Sequence, residues 1–127
     1  LLIEDYFQQI DILIKSSPIV KLFNIEHETR GIYEGFIRGK LEFLDNSLLH
    51  LREFVYVEIS IDRKMYSYQY MNCENNLIFR YDNTEHHRKL NLPTFPHYKH
   101  DGSEDNIVKS DAPFLAEVLK EIEKILA

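Results

Sequence analysis

The sequence predicts an α+β domain: an antiparallel meander sheet of four to five strands, with N- and C-terminal helices packed on one face. Three observations predict it. Apolar residues recur at spacings of three and four near both ends of the chain, they alternate with polar residues through the middle, and the alternating runs are joined by short turns. At 127 residues the chain fits one domain, 1–127, with enough length to bury a core without staples.

The elements follow in order. "LLIEDYFQQIDILIKSSP" places Ile3, Tyr6, Phe7, Ile10, Leu13 and Ile14 on one helical face, and Ser16, Ser17 and Pro18 end it. "IVKLFNIEHETR" is ambiguous between strand and loop. In "YEGFIRGKLEFL" the odd positions Ile37, Leu41 and Phe43 are apolar, while Glu34, Arg38, Lys40 and Glu42 alternate with them. "DNS" at 45–47 turns the chain. In "LLHLREFVYVEISI" the odd positions Leu49, Leu51, Val55, Val57, Ile59 and Ile61 face one way, with His50, Arg52, Glu58 and Ser60 opposite. "DRK" at 62–64 reads as the next turn, and "MYSYQYM" aligns Tyr66, Tyr68 and Tyr70 on one strand face. "NCENN" turns again before the strand "LIFRYD". Period alone leaves open whether Arg80 or Tyr81 points outward. Asn83 to Gly102 reads as the one long connection. Ser110 and Asp111 are candidate caps, with Pro113 in the first turn of a closing helix through Leu115, Val118, Leu119, Ile122, Ile125 and Leu126. With both helices on the apolar face, Arg38, Lys40, His50 and Arg52 are expected on an open, polar one.

Charge is unevenly spread. The net value is −6, but residues 1–29 carry −3 and residues 101–127 carry −4, while 30–64 balance and 65–100 carry +1 with four histidines. The whole argues against a general nucleic-acid binder, yet a local cationic surface is compatible with it. The chain begins with Leu rather than Met, so preceding residues are expected in the native protein. No apolar run approaches the ~20 residues of a membrane helix, and no leader is visible. Cys73 is the single cysteine, which suits a reducing cytoplasm and reads as a bystander in a turn.

The chemistry-bearing stretch is "RYDNTEHHRKLNLPTFPHYKH", residues 80–100. His86, His87, His97 and His100 with Asp82 raise a zinc reading. Paired cysteine spacings are missing, however, and adjacent His86 and His87 cannot easily share one ion, so no metal is assigned. An acid–base site asks for less. Cleavage of RNA through its own 2′-hydroxyl needs a proton acceptor, a proton donor and cations for the phosphate, and no metal or other cofactor. Histidine suits both proton transfers and arginine the phosphate. Against this stands a plain polar loop whose histidines satisfy backbone groups. The tyrosine row could stack bases, but sheet packing is the favoured reading.

"EGFIRGKLEFLDNSLLHLREFVYVE", "YSYQYMNCENNLIFRYDNTEHH" and "TFPHYKH" together resemble the TumE-type toxins of prokaryotic toxin–antitoxin pairs, in order along the whole chain. The most specific parts are "FRYDN..HH" and "TFPH.KH"; in relatives the latter commonly carries a second histidine after the first, where Tyr98 stands here. The resemblance implies a small toxin paired with a helix-turn-helix antitoxin and acting on RNA or translation. Carried over by motif, it marks Arg80, Tyr81, Asp82, Asn83, His86, His87, His97, Lys99 and His100.

The expectation is therefore a cytoplasmic, metal-independent ribonuclease toxin. His97 and His100 form its proton-transfer pair, with His86 as a further acid–base group. Arg80, Lys99, Tyr81 and His87 bind substrate, and Asp82 and Asn83 orient the loop. Its partners are the antitoxin, RNA and, as an option, a second copy of the chain. Two alternatives stay open: a non-catalytic RNA- or protein-binding module, and a metal-binding enzyme using the histidine-rich loop.

Overall fold

The computed structural model describes residues 1–84, 90 and 92–127. Helix α1 (Ile3–Lys15) forms where the apolar spacing placed it, and buries Ile3, Tyr6, Phe7, Ile10 and Ile14. Helix α2 (Leu115–Leu126) buries Leu115, Val118, Leu119 and Ile122. Its start differs from expectation. Phe114 takes the cap position, and the Glu117 carboxylate accepts the Phe114 N–H at 3.3 Å. The Ser110 hydroxyl instead accepts the Ala112 N–H at 3.0 Å, closing a turn ahead of the helix.

The sheet has seven strands among the described residues, rather than four to five: β1 (Val20–Thr29), β2 (Glu34–Phe43), β3 (Leu48–Tyr56), β4 (Asp62–Met71), β5 (Leu77–Asp82), β6 (Tyr98–Asp101) and β7 (Ile107–Lys109). They lie in chain order, each antiparallel to the next. The ambiguous β1 segment is a full strand. It has no apolar alternation because, as the sheet's edge, it is exposed along most of its length. β6 lies within the long connection expected from Asn83 to Gly102 and β7 just beyond it, and both are too short to show a period. The "DRK" turn is also corrected. β4 already begins at Asp62, the chain turns over 58–61, and Ile59 is 94% exposed.

Both helices cover the same sheet face. That face carries Ile37, Leu41, Phe43, Leu49, Leu51, Val55, Phe79 and Tyr81 together with Tyr66, Tyr68 and Tyr70, so the tyrosine row is core packing. One residue breaks the apolar pattern. Glu53, buried on this face, accepts hydrogen bonds from the hydroxyls of Tyr6 on α1 and Tyr68 on β4. Arg63 extends the network. It donates to Tyr68 Oη at 3.2 Å and to the carbonyls of Ala112 and Pro113, both at 2.7 Å. A carboxylate is tolerable there because hydroxyl donors replace its lost water. The network ties α1, the sheet and the approach to α2 together.

Candidate functional site

The uncovered face of the sheet is polar and cationic. Two cross-strand rows run over it, because residues opposite one another in an antiparallel ladder point to the same side. The first is Lys40, His50, Gln69, Arg80 and His100, on β2 to β6 in turn; the second is Arg38, Arg52, Ser67 and Asp82. Two concavities of about 440 and 720 Å³ lie over these rows and share Arg52, Ser67 and Gln69, so they form one groove. Arg38, Lys40, His50 and Arg52 are thus where the alternation placed them.

The cations of the groove are not equally engaged. Arg38 Nε donates to Glu26 Oε2 at 2.9 Å. Among the described residues, Lys40 and Arg52 have no carboxylate partner. Arg38 and Arg52 stand directly opposite each other, an arrangement that costs stability unless an anion answers it. His50 is held below the ordinary imidazole value by burial and by the Lys40 charge.

Arg80 is the best-connected group at the other end. Its Nε donates to Asp82 Oδ2 at 3.1 Å, its Nη1 to Gln69 Oε1 at 3.2 Å and Glu104 Oε1 at 2.7 Å. Burial works against its charge, but the bonds it donates to Glu104 and Asp82 outweigh this and raise its pKa. Arg80 Nη2 lies 3.2 Å from His100 Nε2. A guanidinium can only donate, so Nε2 accepts. His100 Nδ1 lies 2.9 Å from the Glu104 carbonyl oxygen, which can only accept, so Nδ1 carries the proton. Nε2 of the imidazole thus faces Arg80, with Asp82 Oδ2 3.4 Å away. His100 is nevertheless only 2% exposed in its side chain, whereas Glu104 beside it is 60% exposed.

The expected site is divided by the strand period. Arg80, Asp82 and His100 share the open face. Tyr81 and Lys99, which alternate with them, point to the helices, where Tyr81 Oη donates to Glu121 at 2.6 Å and Lys99 Nζ to the same carboxylate at 3.2 Å. His97 also lies on the helix side, with Nδ1 2.8 Å from Tyr66 Oη. His97 and His100 are therefore on opposite faces, and so are Arg80 and Lys99. The Asn83 side chain, just beyond the end of β5, accepts the Tyr66 N–H at 3.0 Å and donates to the Lys64 carbonyl at 3.1 Å. His86 and His87 lie outside the described residues. Among the described residues no group of three or more His, Cys, Asp or Glu side chains could hold a metal ion.

Three residues with consequences for this site escape a reading by alternation. Glu104 lies beyond the histidine stretch, in a segment without period. Phe36 and Phe54 occupy even positions of β2 and β3, on the face where their strand neighbours are charged. Their signal was that very departure from alternation.

Fold and groove together define a two-layer α+β domain whose free sheet face carries a groove lined with cationic side chains. The family model described as Toxin TumE matches residues 10–126, and the chain belongs to that toxin family. Neither a curated protein nor a solved structure matches it. A toxin family implies an antitoxin partner. No helix among the described residues is long and apolar enough to cross a membrane.

Proposed function

We propose that the protein is the toxin of a toxin–antitoxin pair and acts on RNA in the cytoplasm, with a small helix-turn-helix protein as its antitoxin. The observation that carries the RNA reading is the groove itself: Lys40, His50, Arg52, Arg80 and His100 on one face, across five adjacent strands of an otherwise acidic protein. Lys40 and Arg52 supply unengaged charge for phosphate, and Arg80 supplies a fork of donors. His100 Nε2 is the candidate base for a 2′-hydroxyl proton. For that role a substrate phosphate must take the place of Glu104 at Arg80 Nη1, which lies 2.7 Å from the carboxylate. His97, Lys99 and Tyr81 then act from the helix side, holding the loop and α2 that support β6.

A second reading, inhibition by binding without cleavage, is favoured by one observation. Among the described residues His50 is the nearest other imidazole on this face, and three inter-strand steps of ~4.8 Å separate it from His100, too far for the two to share one phosphate. Incubation of the purified protein with end-labelled RNA in EDTA distinguishes the readings. Cleavage that leaves 2′,3′-cyclic phosphate ends, and falls by about a hundredfold or more in His100→Ala, is the expected result. Bound but intact RNA would establish the second reading, and cleavage unaffected by His100→Ala would remove His100 from the chemistry.

A further inference from the structure

On the open face beside the two cationic rows lies a third, apolar row that the proposed chemistry does not use. Phe36 and Phe54 are cross-strand partners on β2 and β3, one register step beyond Arg38 and Arg52. Their rings are parallel within 12°, with centroids 4.8 Å apart. The Arg30 guanidinium lies over Phe36, 5.2 Å from its centroid, and is itself paired to Glu28 at 3.3 Å. Three planar groups are thus in a row on a half-exposed surface. A further concavity of about 360 Å³, lined by Glu26, His27, Glu28, Arg30, Phe36 and Arg38, shares Glu26 and Arg38 with the groove, so platform and groove are continuous.

The spacing is that of a nucleotide chain. Residues two apart on a strand are ~6.8 Å apart, so the aromatic row, the arginine row and the Lys40–His50 row succeed one another at about the repeat of an extended single strand. Aromatic rings and guanidinium planes stack on unpaired bases whatever their identity, whereas the bases of a duplex are already stacked and out of reach.

We infer that Phe36, Phe54 and Arg30 form a base-stacking platform, and that the ligand of the open face is single-stranded RNA, its bases on the platform and its phosphates on Arg52 and Lys40. This rests on the RNA reading above. The charge argument favours it over a purely apolar partner, since the platform adjoins two opposed arginines and a lysine without a carboxylate. It also favours RNA over an acidic polypeptide, because every nucleotide brings a planar base to the stack, whereas a polypeptide can use it only where an aromatic or arginine side chain falls.

The competing account is that the pair only strengthens the sheet, as aromatic cross-strand pairs do. Fluorescence anisotropy with the full chain separates the two. The probes are a short mixed-sequence RNA as single strand and as duplex, inorganic polyphosphate, and polyglutamate. The expected result is preference for the single strand over the duplex, and a loss of about tenfold or more in Phe54→Ala for the single strand alone, with polyphosphate binding unchanged. Phe54→Leu keeps an apolar side chain in the pair and removes the ring. It should show the same loss with an unaltered melting temperature, which an effect on the sheet alone would not produce. Single-strand binding that neither variant weakens, or that falls in step with polyphosphate, overturns the platform and leaves RNA binding standing. Equal affinity for polyglutamate, with the same sensitivity to Phe54, assigns the face to an acidic protein and overturns the inference. No binding of RNA in any form removes the functional reading along with it.

Discussion

His97 and His100 stand three residues apart, yet their environments give them different work. His100 is fixed between a carbonyl and a guanidinium on the open face. His97 stacks on Tyr66 at 5.8 Å and shares a hydrogen bond with its hydroxyl. Burial, and then the charge of Arg63, lower the His97 pKa, while burial pushes the Tyr66 phenol up to about 12. Protonating His97 removes Nδ1 as an acceptor and sets a second positive charge against Arg63. Because the folded pKa lies below the unfolded value of 6.5, the unfolded chain takes up the proton first as pH falls. The stabilisation is complete above about pH 6.5 and declines below it, down to the folded pKa. Urea midpoints should therefore fall between about pH 7.5 and pH 5.5, and fall less in His97→Gln. An equal decline in the variant would show that other groups, His50 among them, carry the whole effect.

At the scale of elements, α1 is seated by the absence of a side chain. A Cβ on Gly35 of β2 would lie 2.7 Å from the Glu28 carbonyl, 2.7 Å from Phe7 Cζ and 2.9 Å from Ile3 Cγ1. Both the β1 backbone and two core residues of α1 would have to move. Gly35→Ala should cost about 2 kcal/mol or more, read from chemical denaturation, with groove residues untouched and α1 loosened. Retained stability would mean that α1 tolerates a shifted seat. Such a seat is invisible in the sequence, where Gly35 merely interrupts an alternating run. What was legible there depended on length and period. α1, α2 and β2 to β4 repeat their pattern often enough to declare themselves, and the open-face positions of Arg38, Lys40, His50 and Arg52 followed directly. β5 and β6 are short, and "RYD" and "HYKH" offer no apolar beat to assign faces. Arg80 could thus be grouped with Lys99, and His97 with His100, although a single strand step sends neighbours to opposite sides. Glu53 shows a different limit. An acidic residue in an apolar row reads as noise until the hydroxyls of Tyr6 and Tyr68, from two other elements, are brought to it.

For the molecule as a whole, a net charge of −6 means that distant parts of the chain repel a polyanion. Any RNA held on the open face must be held locally, by the few cations there. Of these, Arg38 and Arg80 already answer carboxylates, at 2.9 Å to Glu26 and 2.7 Å to Glu104. Lys40 and Arg52 remain to displace counterions from the ligand. Binding to a single strand loses affinity with salt at a log–log slope of about −0.7 for each phosphate neutralised. The slope for this protein should therefore be shallow, about −1.4 for Lys40 and Arg52 alone and about −2.1 once Arg80 also takes a phosphate, rather than the steep dependence of a broadly basic protein. Arg52→Gln should lower affinity and reduce the slope by about 0.7, whereas Arg38→Gln should change it less, because Glu26 already screens that charge. The two measurements decide between arrangements that look alike by shape. An undiminished slope in Arg52→Gln would place the phosphate contacts elsewhere on the chain, and the groove would then be a surface without the ligand assigned to it. A slope of about −2.1 rather than about −1.4 would mean that Arg80 has exchanged Glu104 for phosphate, the displacement that the proposed chemistry at His100 requires.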